Sequence, residues 1–351
     1  MRTFISIIFF ISLSAFLACS HSASQEASKI TYSDNEPVAT SHKINGVSFV
    51  SPPNPIDESL IEIPRIKTAA NYLSIMPYGF VDEGSTDLIY NSKWQWWGER
   101  VEGACSLINM AKKNGYRILL KPQVWKRGGV YTGEHDYEED ADWSNFEASY
   151  AKFILSFAKV ADSLDVEIFA IGTEWKNFVE KRPKFWKKLI EQVKAIYKGK
   201  ITYAANWDEY STVPFWNELD YVGIDAYFPL VNTQTPSSKE IFKALQPIKK
   251  QLKSYSDSLE KKILFTEYGY RSRDHNAERP WESDRVGEAN LVAQENAFRG
   301  FYDAFWTSDF VAGGFIWKWF ANYPEAGGQA HNGFSPQNKP VEKIILDYYK
   351  D

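Results

Sequence analysis

Residues 167–175 read "EIFAIGTEW". Four apolar residues, Ile168 to Ile171, follow one another without polar alternation, the pattern of a strand buried on both faces. Glu174 and Trp175 then set a charge and a large ring at the strand tip, where a connecting loop begins. "LFTEYGY" at 264–270 ends another apolar run in the same order, Thr-Glu-aromatic. Two buried strands of this chain therefore each carry a carboxylate at the tip.

Working outward, six further runs have the same character: "INGVSFV" (44–50), "NYLSIMPYGF" (71–80), "RILLKPQVW" (117–125), "ITYAANW" (201–207), "YVGIDAYFP" (221–229) and "AGGFIWKWF" (312–320). With 167–175 and 263–270 they make eight strands. A short helix fits residues 57–68. Apolar residues recur at helical spacing over 100–114, 143–164, 183–197, 238–259, 289–306 and 341–349. Pro183 suits a first helical turn, and Gly115 and Gly199 suit helix C-termini. The link between the fifth and sixth strands, "DEYSTVPFWNEL", is short. Apolar strands alternating with helices predict a parallel sheet covered by helices, and eight such units predict a single α/β (β/α)8 TIM barrel with extended βα loops. An open doubly wound sheet is the alternative, but no Gly-rich phosphate loop follows the first strand.

The 351 residues are 44% hydrophobic and 24% charged, an ordinary globular balance, but 16% aromatic, with 13 Trp, 20 Tyr and 23 Phe. Aromatic surplus suits a ligand cleft, because flat rings offer apolar area with a polar tip. The net charge of -5 provides no basic field for nucleic acid or anionic lipid, so a neutral substrate is expected. The 5 histidines show no metal-ligand spacing, and no cofactor or metal is expected. Residues 1–18, with Arg2 and an apolar run from Phe4 to Leu17, read as a secretory signal. Cys19 after Leu17 and Ala18 resembles a bacterial lipobox, although Phe16 stands where Leu or Val is usual. It implies lipidation at Cys19 and an exported, envelope-anchored protein. Residues 19–42 read as a flexible tether and 43–351 as the (β/α)8 domain, expected to be a monomer. Cys105, on a predicted helix, is expected to be a small buried apolar residue.

In a barrel, functional groups collect where strands end. Here those ends bear Lys121, Gln123 and Trp125; Glu174 and Trp175; Asn206, Trp207 and Asp208; Asp225 and Tyr227; Glu267, Tyr268 and Tyr270; and Trp317, Lys318 and Trp319. Any one could cap a loop, but six polar or aromatic tips together point to a site. Asp225 competes for a catalytic role but is better read as bonding neighbouring strand tips, and Asp208 and Glu209 as loop caps. Two carboxylates across an aromatic cleft, with no metal cluster, are the equipment of glycoside hydrolysis, in which one is held protonated and the other ionised.

The stretches "INGVSF", "LKPQVW", "IGTEW", "YAANW", "IDAYFPL", "FTEYGYRS" and "GGFIWKW" together resemble glycoside hydrolase family 113, β-mannanases of the retaining clan A. The resemblance runs from about residue 44 to the end. It implies that Glu267 is the nucleophile and Glu174 the acid/base, acting on β-1,4-linked mannan or manno-oligosaccharides with the two carboxyls ~5 to 5.5 Å apart. By the same resemblance Tyr203 or Asn206, Tyr227 and Trp317 hold the reacting sugar, Lys121 and Tyr268 position the nucleophile, and Trp125, Trp207 and Trp281 line the cleft. Trp94, Trp96 and Trp97 are candidates for stacking on sugars, with packing equally open. Two other readings are open: a clan A β-glucanase or exo-glycosidase, which shares all of these residues, and a surface glycan-binding barrel that does no chemistry and would use the aromatics without the acids.

Overall fold

The computed structural model describes residues 43–283 and 286–350; the leader, the tether and Cys19 lie outside them. Eight parallel strands close into a barrel: β1 (Ile44–Phe49), β2 (Tyr72–Ile75), β5 (Arg117–Leu120), β7 (Ile168–Thr173), β8 (Lys200–Asn206), β9 (Val222–Asp225), β10 (Ile263–Tyr268) and β11 (Val311–Trp319). Around the ring the order is β1, β11, β10, β9, β8, β7, β5, β2. This is the expected (β/α)8 architecture.

The second and third predicted strands each divide in two, and proline is the cause. Pro77 and Pro122 have no N–H to donate to a ladder, so the barrel strands stop before them. Beyond them the chain starts again as β3 (Tyr78–Val81) and β6 (Gln123–Lys126), which pair in parallel and, with β4 (Leu88–Tyr90), form a separate three-stranded sheet on the barrel mouth. Backbone bonds carry the pairing across the break: Lys121 N–H to Ile75 O and Gln123 N–H to Pro77 O, both 2.9 Å. Trp125 therefore belongs to the small sheet rather than to a barrel strand tip.

The main helices are α1 (Ser59–Thr68), α2 (Val101–Lys113), α3 (Asp140–Ser163), α4 (Lys176–Lys181), α5 (Pro183–Ile196), α6 (Ser238–Leu259), α7 (Leu291–Phe305) and α8 (Val341–Lys350). Only the six-residue α4 has no counterpart in the sequence periodicity, which is too short-ranged to register one and a half turns. Between β8 and β9 the chain makes two 3-10 turns, Tyr210–Thr212 and Trp216–Glu218, and no α-helix. Local signals set several ends. Ser237 and Glu240 form a reciprocal capping box at the start of α6, Pro183 opens α5, and Gly115, at φ 78°, follows the end of α2. Cys105 on α2 is only half-buried, because it sits at the edge of the helix's apolar stripe.

Alternation along the strands divides the core. Ile44, Tyr72, Leu119, Ile168, Ala170, Leu264 and Phe315 form one cluster inside the barrel, while neighbours such as Ile118, Phe169, Ile171 and Phe265 join the larger layer beneath the helices. Strands approach closely where β11 meets β1: a Cβ on Gly313 would stand 2.2 Å from Ile44 O, and its φ of 131° favours glycine as well. The apolar plug leaves the C-terminal ends of the strands to polar residues. No described helix is long and apolar enough to cross a membrane.

Candidate active site

Strict alternation would turn Glu267 outward, since Leu264 and Thr266 face in. Instead the pairing of β10 with β9 shifts register between Phe265 and Glu267, so that Glu267 stands opposite Asp225. An irregularity of this kind lets consecutive residues face the same side. Glu267 then meets three donors. Lys121 Nζ lies 2.5 Å and Gln123 Nε2 3.0 Å from Oε1, and the Tyr227 hydroxyl donates to Oε2 at 2.9 Å. Charge-assisted bonds of this kind are short and strong and fix the orientation of the carboxylate.

Lys121 is fully buried and also lies 3.4 Å from Asp225, which accepts a 2.7 Å bond from Thr266 Oγ1. Burial works against the ammonium charge, but Asp225 and Glu267 together outweigh it and raise the Lys121 pKa. Burial and the charge of Glu267 push the Asp225 carboxyl up to about 7, against the pull of Lys121 and Thr266. The hydroxyl of Tyr227, raised by burial first and by Glu267 next, remains a donor.

Glu174 is held differently. β7 loses register with β8 between Ala170 and Thr173, and Glu174 adopts a left-handed backbone, φ 54°. That conformation costs a residue with a Cβ about 1–2 kcal/mol and is held by flanking bonds. Glu174 N–H donates to Ala204 O at 2.8 Å, and Trp175 N–H donates to the Tyr203 hydroxyl at 2.6 Å. The Trp175 ring is buried among His135, Phe146, Tyr150 and Phe178, which locks the turn. Burial, then the charges of Asp225, Glu267 and Glu209, raise the Glu174 carboxyl well above the usual carboxylate range, with Lys121 opposing. One carboxylate is thus clasped by donors while the other is driven toward its protonated form.

Both glutamates line two joined hollows of about 310 and 630 Å3 that share Trp125, Tyr131 and Trp317 as walls. At the far side of the larger hollow the rings of Trp207 and Trp281 stack at 5.4 Å and 22°. Asn206 Nδ2 donates to the Tyr131 hydroxyl at 3.0 Å. Among the described residues no cluster of His, Cys, Asp and Glu could hold a metal ion.

Glu174, Glu267, Lys121, Trp125, Asn206, Trp207, Tyr227, Trp281 and Trp317 come together here as expected of one site. Tyr203 and Tyr268 do not. Tyr203 alternates with Asn206 on β8 and faces the helices, where it braces Trp175 from behind. Tyr268 follows Glu267 and so points the other way: it stacks on Phe301 at 4.7 Å, and its hydroxyl bonds those of Tyr302 and Tyr349. It cannot position the nucleophile. Asp225 bonds adjacent strand tips, as expected. Glu209 caps its loop by accepting from Asn206 N–H at 2.8 Å, and burial pushes its carboxyl up to about 7. Three contributors escaped sequence reasoning. Gln123 was visible at a strand tip without its role. Tyr78 donates to Gln123 Oε1 at 2.6 Å, and Tyr131 sits on a loop after Gly128 and Gly129 that carries no motif.

A parallel eight-stranded barrel with two carboxylates at the ends of the fourth and seventh barrel strands, in an aromatic cleft, defines a glycoside hydrolase. Residues 57–339 match Glycoside Hydrolase Family 113, and the chain belongs to that family. Among solved structures, the barrel is similar to a GH113 β-mannanase from Alicyclobacillus acidocaldarius in complex with ManMIm, with 21% identity over 88% of this chain and 97% of that one and a TM-score of 0.77. A complex of a GH113 β-1,4-mannanase gives 23% identity over 88% and 99% of the two chains, TM-score 0.75. A β-glucuronidase from Ruminococcus gnavus is more distant, at 12% identity over 88% of this chain and 49% of that one, TM-score 0.58. At these identities the likeness is one of fold. No curated protein matches the chain.

Proposed function

We propose that this glycoside hydrolase cleaves β-1,4-mannosidic bonds of mannan or manno-oligosaccharides by double displacement, with retention of configuration. The observation that carries the mechanism is the unequal setting of the two glutamates: Lys121, Gln123 and Tyr227 clasp and orient the Glu267 carboxylate, whereas Glu174 is pushed toward protonation in the same hollow. In the first step a Glu267 carboxylate oxygen bonds to the anomeric carbon as the glycosidic C–O bond breaks. Glu174 gives its proton to the departing oxygen. The resulting ester removes the negative charge of Glu267, which lowers the Glu174 pKa and suits the carboxylate to take a proton from water. That water attacks the anomeric carbon, the ester bond breaks, and Glu267 leaves as carboxylate with Glu174 protonated again. The β-mannanase neighbours in the same family support the choice of mannose.

The test is hydrolysis of β-1,4-mannan, manno-, cello- and xylo-oligosaccharides by wild type, Glu174→Gln and Glu267→Gln, with NMR of the first product anomer. The expected result is β-anomer from mannan in the wild type and a fall of roughly 10²- to 10⁴-fold or more in both variants. A first product of α configuration would exclude double displacement. Cleavage of cello- or xylo-oligosaccharides in place of mannan would keep the mechanism and replace the sugar.

A further inference from the structure

The three-stranded sheet on the barrel mouth has an apolar face turned to solvent. Its register sets Ile89 opposite Phe80, and Phe80 opposite Trp125, in one row across β4, β3 and β6. Ile89 is 41% and Trp125 57% exposed. Beside the row stand Trp96 and Trp94, 51% and 84% exposed. Large apolar groups held in water over a contiguous area mark a binding surface.

The segment carrying these two indoles is anchored. Trp97 between them and the barrel is buried, and its N–H donates to Pro53 O at 3.0 Å. Gly98 N–H donates to Pro52 O at 2.9 Å, so close an approach that a Cβ on Gly98 would meet Pro52 Cδ at 2.5 Å. The Gln95 amide donates to Tyr78 O at 2.8 Å and its oxygen accepts from Ser92 N–H, while Glu99 accepts from Trp96 N–H at 3.1 Å. A backbone anchored in this way loses little conformational entropy when a ligand arrives.

The surface is continuous with the active site. A hollow of about 580 Å3, bounded by Phe80, Trp96, Trp125, Pro52 and Phe320, shares Tyr78 and Trp125 with the smaller hollow that holds Glu174 and Glu267. Past Trp96 a further depression leads to Trp94, Gln95 and Arg127. The glycan would leave the reacting pocket over Trp125 and run along this row, with Glu99, Gln95 and Arg127 as polar groups for its hydroxyls. We infer that the small sheet and the Trp94–Trp96 segment form a distal arm binding additional sugar units of the same chain, making the enzyme favour long substrates. This rests on the glycosidase reading above.

The test compares kcat/KM on a series from tri- to hexasaccharide, manno- and cello-, for wild type, Trp96→Ala and Trp96→Phe, with melting temperature and oligomeric state of each variant alongside. In the wild type kcat/KM rises with length. In Trp96→Ala the hexasaccharide loses about tenfold, the equivalent of one lost stacking contact, the trisaccharide changes less than twofold, and Trp96→Phe recovers part of the loss. Equal rates on tri- and hexasaccharide, or a length dependence that survives in Trp96→Ala, would overturn the arm. A change of oligomeric state in Trp96→Ala with the length dependence intact would make the face a self-association surface and overturn it too. Absence of hydrolysis across both series would remove the glycosidase reading itself, a result separate from failure of the arm.

Discussion

Lys121 is the cation on which the arrangement of carboxylates depends. It is sealed from solvent between Asp225 and Glu267, and removing one member of a buried ion pair leaves uncompensated charge. Lys121→Met is therefore expected to lower unfolding free energy by about 3–5 kcal/mol in denaturant titration at neutral pH. The effect should shrink in acid, where the stranded carboxylates are neutralised. The same variant should move the acid limb of the kcat/KM profile to higher pH, because ionisation around the vacated position becomes more costly. An unshifted limb with unchanged stability would show that Lys121 neither supports the fold nor sets the charge of the site.

At the scale of elements, the position of Glu174 depends on β8 as much as on its own strand. The Tyr203 hydroxyl accepts the Trp175 N–H at 2.6 Å and sits 3.4 Å from Glu209, so it joins two consecutive βα loops from behind. Tyr203→Phe leaves that buried N–H without its partner, a cost of about 1–3 kcal/mol. Because the ring faces away from the cleft, the expected kinetic signature is a lower kcat with KM within about twofold, since substrate contacts are untouched while the acid is less well oriented. A rise in KM alone would instead make Tyr203 a substrate contact.

For the whole molecule, buried carboxyls set an acid-side preference. Between about pH 4 and 7 the folded chain retains protons on Glu209 and Asp225, both pushed up to about 7, and burial raises Glu174 well above the usual carboxylate range as well. The unfolded chain has lost them, so these groups make stability fall as pH rises through that window. His135 works the other way: burial lowers it to about 4, the folded state holds fewer protons there, and stability rises with pH. One histidine offsets one carboxyl, so the net slope is negative up to about pH 7, above which Lys339, lowered by burial to about 7, works in the direction of His135. Melting temperature is expected to be lower at pH 7.5 than at pH 5, and Glu209→Gln should remove on the order of 3 kcal/mol of the stability lost across that window, at 1.36 kcal/mol per pKa unit. A melting temperature that climbs steadily from pH 5 to 7.5 would contradict this balance.

Much of this protein could be read from the chain itself. Runs such as "EIFAIGTEW" and "LFTEYGY" state that buried parallel strands exist and that each ends in a carboxylate, because burial on both faces demands unbroken apolar sequence. Their alternation with helical periodicity was enough for the barrel. The facing of each side chain was not legible. Two-residue alternation identifies a face only once the pairing register is known, and register comes from neighbours remote in sequence. The shifts before Glu267 and Glu174 turn both glutamates into one cleft, while plain alternation turns Tyr203 and Tyr268 into the helix layer. Likewise Pro77 and Pro122 stand inside runs that read as single strands, and only the folded chain shows each run severed there and the far pieces paired as a second sheet beside the site.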